Sequence, residues 1–116
     1  METLMDITKR EEGEIQIYTF SGELDETNAD KTFKAIYEQI GDFTDKKIVF
    51  NMSGLKYLNS KSIGYIADVF SNIEENNGKM CISNCNEGVK DVLELVGITT
   101  IIPTVDTEEE AINELK

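Results

Sequence analysis

The stretch Asn59-Ser60-Lys61-Ser62 sets two hydroxyls on either side of a lysine, where an amphipathic run begins. A serine hydroxyl can take a phosphoryl group, which adds about -1.5 to -2 charge at neutral pH. A helix start carries unpaired N–H groups and partial positive charge, so it suits an anionic group or an anionic neighbour. The same residues also suit plain capping, with Asn59 or Ser60 accepting a backbone N–H of the first turn. Ser60 and Ser62 are the two hydroxyls of the turn, and Lys61 is the cation between them. A second feature is the carboxylate of Asp25, which ends the stretch Ser21-Gly22-Glu23-Leu24-Asp25 at a junction between a strand and a helix. Capping is the ordinary use of an Asp there, with Thr27 as the alternative cap.

Catalytic constellations are missing. The chain has no histidine, the usual general base at neutral pH. Neither glycine-rich phosphate loop occurs, and no nucleophile elbow is present. Carboxylates are abundant, so close pairs of them arise by chance and carry no assignment. The sequence therefore predicts a protein that is not an enzyme and needs no cofactor.

Charge narrows the partners. Eleven basic and 23 acidic side chains give a formal net charge of -12. Such a field repels nucleic acid and anionic membrane surfaces unless a basic patch overrides it. No such patch is visible, and Lys46-Lys47 is the densest basic pair away from the N-terminus. No apolar run approaches the roughly 18 residues of a membrane span, so no direct membrane insertion is expected. The N-terminal segment METLMDITKREEGE lacks the basic-then-apolar layout of a secretory signal. Cys81 and Cys85 read as free thiols of a reducing compartment, because a strand would hold them too far apart to bridge. Two cysteines without histidine also leave a zinc site incomplete. These readings place the chain in the cytoplasm.

The elements that must position the turn follow from periodicity. Residues 3–9 and 14–20 read as strands around a Glu12-Gly13 turn, with 21–25 as a loop. From Glu26, the residues Ala29, Phe33, Ile36, Tyr37 and Ile40 share one helical face, and Gly41 ends that helix. The apolar run Ile48-Val49-Phe50 marks a buried strand over 46–51. Residues 60–76 form the clearest helix, stopped by Asn77-Gly78. A strand over 79–83 and a helix over 87–96 follow. A last strand over 98–105 is weakened by Pro103. Thr107 then caps a closing helix whose first turn is Glu108-Glu109-Glu110. The order β-β-α-β-α-β-α-β-α predicts a single α/β domain over residues 1–116. Its sheet is mostly parallel, with an antiparallel N-terminal strand pair and four helices. In such sheets, loops after the strand C-termini gather the functional groups. The turn at 59–62 and the segment 21–25 are both of that kind.

Three stretches together resemble the STAS domain, the fold of the bacterial anti-sigma factor antagonists. Ser21-Gly22-Glu23-Leu24-Asp25 is similar to the family's G-x-L-D segment. Residues 48–60 resemble its strand, its D-L-S segment and the approach to D-S-S-G-L. Val96-Gly97-Ile98 and Thr107-Glu108-Glu109-Glu110-Ala111 resemble its V-G-L and late acidic segments. The resemblance covers nearly the whole chain. It implies a domain that binds an anti-sigma factor that is also a serine kinase, thereby releasing a sigma factor for transcription. The kinase phosphorylates a serine of D-S-S-G, which blocks rebinding, and a phosphatase resets the switch.

Carried over by position, the family's Asp falls on Asn59 and its first Ser on Ser60. Its phosphorylated Ser falls on Lys61 and its Gly on Ser62. Gly64 matches the glycine that follows, Gly22 and Asp25 match the first segment, and Asn51 stands where an Asp is common. The usual acceptor is thus a lysine here. The resemblance implies a partner-binding surface of Gly22, Asp25, Asn59, Ser60, Lys61, Ser62 and Gly64. Three readings follow: an antagonist whose phosphorylation has moved to Ser60 or Ser62; a constitutive binding module; or a subunit of a transporter or signalling scaffold that docks without phosphorylation.

Overall fold

A computed structural model describes residues 4–116. The first two strands, β1 (Met5–Glu12) and β2 (Ile15–Leu24), form an antiparallel hairpin. Its turn is Gly13-Glu14, one residue later than the pattern predicts, and Gly13 takes the positive φ of 58° that the turn requires. Residue 3, which the sequence assigns to the first strand, lies outside the described residues. Then come α1 (Ala29–Ile40), β3 (Lys47–Leu58), α2 (Ser60–Glu75), β4 (Lys79–Ser83), α3 (Glu87–Leu95), α4 (Ile98–Ile101), β5 (Thr104–Val105) and α5 (Glu108–Leu115). The five strands lie side by side in the order β1-β2-β3-β4-β5. Every pair after the first is parallel.

Alternation along the strands divides the core into two layers. Tyr18, Phe20, Leu24, Ile48, Phe50, Met52, Met80 and Ile82 face one way, where Phe33 and Ile36 of α1 and Ile66, Val69 and Ile73 of α2 cover them. Val89 and Leu93 of α3 join the same layer. Ile15, Ile17, Val49 and Cys81 face the other way, under Ala111 and Leu115 of α5. Each fully buried large side chain of this kind contributes about 1.5–3 kcal/mol relative to exposure. The amphipathic spacing of α2 is therefore what fixes its axial rotation on the sheet and aims its first turn.

Two departures from the sequence reading matter for the site. Residues 21–24 are strand rather than loop, because β2 finds partners on both sides. Ser21 and Gly22 pair with Asp6 and Met5 of β1, and Glu23 and Leu24 pair with Tyr57 and Leu58 of β3. The third strand likewise runs on to Leu58 rather than stopping at Asn51. Its second half pairs only with β2, across shifts of register near Ser21 and Glu23. Glycine is required at this crossing. A Cβ on Gly54 would meet the Phe20 carbonyl oxygen at 2.8 Å. At Gly22, φ is +117° and a Cβ would meet the Leu4 oxygen at 2.4 Å.

The last predicted strand is also mostly not a strand. Gly97 adopts a left-handed φ of 83°, and residues 98–101 close a helical turn in which the Ile102 N–H donates to Ile98 O at 2.9 Å. That turn lets Ile98 and Ile102 both enter the core. Pro103 has no N–H to give a ladder, so only Thr104 and Val105 pair with β4, and Pro103 contributes its carbonyl to Ile82 N–H at 2.8 Å.

Candidate functional site

Strands β2 and β3 end together. Leu24 and Leu58 are register partners, both buried, and they deliver Asp25 and Asn59 to neighbouring positions. The Asn59 N–H donates to Leu24 O at 3.1 Å, tying the two segments into one surface. Asn59, not Ser60, is the N-cap of α2. Its Oδ1 accepts the Ser62 N–H at 3.0 Å and the Ser62 hydroxyl at 2.7 Å. One acceptor thus satisfies a first-turn amide and a buried hydroxyl.

The two candidate serines stand in opposite environments. Ser62 is fully buried, with its hydroxyl committed to the cap. Ser60 is exposed at the first position of the helix. Gly64 is exposed, and a Cβ there would meet nothing within 4 Å, so packing places no demand for glycine. Gly22 serves the β1–β2 backbone approach described above.

Asp25 is not the N-cap of α1, and neither is Thr27; Asn28 holds that position. The Asp25 carboxylate instead closes a local turn, accepting the Thr27 N–H at 2.9 Å and the Thr27 hydroxyl at 2.6 Å. Asn28 is buried and braces the chain on both sides. Its Oδ1 accepts Asp25 N–H at 3.1 Å and its Nδ2 donates to Glu23 O at 2.8 Å. A side chain that reaches back to its own approach segment does the positioning that the sequence assigns to a cap.

Lys61 has a partner that its sequence neighbourhood does not reveal. Its Nζ lies 2.9 Å from the carboxylate of Asp30, in the first turn of α1. The same carboxylate accepts the Tyr65 hydroxyl. The Tyr65 ring stacks on Phe33, with centroids 4.8 Å apart and planes at 11°, and meets Tyr37 edge-on. The Tyr37 hydroxyl in turn bonds Asp68 of α2. These contacts form a seam between the two helices. The Tyr65 hydroxyl and the Lys61 ammonium together hold the Asp30 carboxyl below the ordinary carboxylate range. The hydrogen bond to Asp30 raises both the Lys61 ammonium and the Tyr65 phenol. The spacing of Lys61 and Tyr65, four apart on one helix, was a readable signal; Asp30 was not.

Glu26, Tyr57, Asn59, Ser60 and Lys61 line an open depression of about 560 Å³. A neighbouring one of about 310 Å³ lies between Asp25, Glu26, Thr27, Tyr57 and Asn59. Tyr57, half exposed, stands between them. The surface offers hydroxyls, one paired cation and carboxylates, which suits docking. Burial pushes the thiols of Cys81 and Cys85 up to about 11, which disfavours the reactive thiolate at neutral pH.

Asn51 belongs elsewhere. It faces α5, where its Nδ2 donates to Glu108 at 2.8 Å while its Oδ1 accepts the Ser53 N–H. Glu108 is also paired with Arg10 of β1. An aspartate at 51 would set a second carboxylate against Glu108, which explains the amide.

The sequence model of the STAS domain family matches residues 6–111. An anti-sigma F factor antagonist of Paenibacillus polymyxa is 28% identical over 102 residues, covering 88% of this chain and 87% of the relative. Two solved structures share the fold. An anti-sigma factor antagonist from Mycobacterium paratuberculosis superposes with a TM-score of 0.87 at 17% identity, covering 97% of this chain and 94% of the other. The Bacillus cell fate determinant SpoIIAA in its phosphorylated form superposes with a TM-score of 0.71 at 20% identity, covering 96% of this chain and 100% of the other. Among the described residues, no helix is long and apolar enough to cross a membrane.

Proposed function

Because this chain belongs to the STAS domain family, we propose that it is an anti-sigma factor antagonist, working as one domain over residues 1–116 by docking to an anti-sigma factor that is a serine kinase. The observation that carries this reading is the Asn59–Leu24 hydrogen bond. It joins the Asp25 segment and the 59–62 turn into one surface, with Ser60 and Lys61 exposed on it. The domain is a recognition surface rather than an enzyme, and its place of work is the cytoplasm.

Phosphorylation, in this reading, falls on Ser60. Its hydroxyl is exposed, whereas Ser62 is buried and held by Asn59. A kinase would have to unwind the first turn of α2 to reach Ser62. At Ser60, the partner transfers the terminal phosphoryl group of ATP to Oγ; a new P–O bond forms, ADP leaves, and the hydroxyl proton passes to the kinase. The added charge, next to Glu26, then opposes rebinding.

The test is titration of the purified chain with the anti-sigma kinase from the same organism, with ADP present. Binding that Lys61→Glu weakens about tenfold, a loss of ~1.4 kcal/mol, supports docking through this turn. Equal affinity for both proteins removes the turn from the interface.

A second reading has one observation in its favour. The family's acceptor position is a lysine already paired with Asp30, so the domain can serve as a non-phosphorylated STAS binding subunit of a transporter or signalling scaffold. Under that reading, native protein carries no phosphate at Ser60 while its partner is active, and intact-mass analysis distinguishes the two.

A further inference from the structure

We propose that Lys61 is an exchangeable counter-ion: on the unmodified protein it clamps α2 to α1 through Asp30, and a phosphate on Ser60 draws it away. The inference rests on the reading of Ser60 as the modified residue and adds a means by which the modification is felt on α1.

Three features support the exchange. First, Ser60 and Lys61 line the same depression, with Glu26 and Asn59, so a phosphate on Ser60 sits in the space that the lysine borders. Second, the competition is uneven in charge. A phosphate carries about -1.5 to -2, against a single charge on Asp30. Both sites are open to solvent, so neither holds the lysine by burial. The amides at the start of α2 favour the same anion. Third, Asp30 does not lose every partner when Lys61 leaves. The Tyr65 hydroxyl remains on its Oδ1, and the Phe33–Tyr65 stack holds that hydroxyl in place. The exchange therefore strands no group.

The consequence is a change of surface larger than the phosphate alone. Unmodified, the Lys61–Asp30 pair presents a neutral patch between the first turns of the two helices. Modified, the phosphate is partly neutralised by Lys61, and Asp30 on α1 keeps the Tyr65 hydroxyl but loses its cation, so its negative charge is uncompensated. A partner resting across both helices meets new negative charge at two places. The lysine at the family's acceptor position is then the element that carries the signal from one helix to the other.

The experiment installs phosphoserine at position 60 by genetic encoding and follows the second phosphate ionisation by phosphorus NMR. It compares the otherwise native protein with Lys61→Gln and Asp30→Asn backgrounds. The exchange predicts a phosphate that ionises roughly 0.2–0.7 pH unit lower in the native background than with Lys61→Gln. With Asp30→Asn, where Lys61 has no competitor, it ionises as low or lower. On phosphorylation, the Asp30 carboxyl in the native background also shifts up toward the ordinary range, read by carbon NMR. Equal phosphate values in the native and Lys61→Gln backgrounds overturn the proposal, whether or not Asp30→Asn differs, because they mean that Lys61 has stayed on Asp30. Since the phosphate is installed and no partner is present, failure here is separate from failure of the antagonist reading, which the kinase titration decides.

Discussion

Asn59 holds Ser62 twice, with one side-chain oxygen 3.0 Å from the Ser62 nitrogen and 2.7 Å from its hydroxyl oxygen. This pair of hydrogen bonds from a fully buried serine to one side-chain oxygen fixes the shape of the turn. Asn59→Ala removes the cap and orphans the hydroxyl. Urea denaturation should show a loss of about 1–3 kcal/mol. Asn59→Asp keeps the acceptor and should stay close to the native value.

The same relationship separates the two serines. Ser62→Ala should cost about 0.5–1.5 kcal/mol, the usual worth of a hydrogen bond, whereas Ser60→Ala should change stability by no more than about 0.5 kcal/mol. Phosphopeptide mapping of protein from the native host should place any modification on Ser60. Phosphate on Ser62 would show that the first turn of α2 opens in the cell.

The Lys61–Asp30 clamp should leave a pH signature. The Asp30 carboxyl is depressed by Tyr65 and Lys61, so its contribution is present above the unfolded carboxylate range and is lost as pH falls through the folded value. The Lys61 ammonium is raised by Asp30, so its contribution is present below the ordinary lysine value and is lost as pH rises through the folded one. Between those limits, Asp30→Asn should melt below the native protein. Thermal scans should show the two curves converging as pH drops below about 4. A gap that persists undiminished at pH 2 would locate the stabilisation in packing rather than in the ionised carboxylate.

Asn51→Asp tests the other network. Asn51 is 7% exposed and donates to Glu108, so an aspartate replaces a donor with a second carboxylate. The variant should lose about 1–3 kcal/mol at neutral pH and recover part of it in acid, as one carboxyl of the pair takes a proton. Guanidinium unfolding at pH 7 and pH 4 measures both.

Gly22→Ala tests the strand crossing. The +117° φ and the 2.4 Å approach to the Leu4 oxygen penalise any Cβ, and the loss should reach about 1–3 kcal/mol. Hydrogen exchange should show faster opening at the start of β1, where Met5 pairs with Gly22.

What the sequence alone determined was set within a few residues of each position. The helical faces of α1, α2 and α3 appear as apolar spacings. Gly41, which takes a φ of 67°, and Thr107, whose hydroxyl accepts the Glu110 N–H at 3.1 Å, sit where local chemistry puts them. Asn59 as a cap is equally local. The stretches resembling the STAS domain carried the fold class.

Tertiary structure decided whatever depends on a partner distant in the chain. Residues 21–24 read as loop on their own and the third strand reads as ending at 51, yet 21–24 and the stretch up to Leu58 become strand because each supplies the other's hydrogen bonds. Asp30 lies 31 residues from Lys61, and Glu108 lies 57 from Asn51. No periodicity links such pairs; the sheet register and the packing of α1 beside α2 bring them together. The last strand shrank to two residues because a left-handed Gly97 and a Pro103 without an N–H left the chain better satisfied by a helical turn. Caps and faces are local energies and can be read one segment at a time. Register, seams and shared counter-ions are properties of two segments at once, so they exist only when the chain has folded.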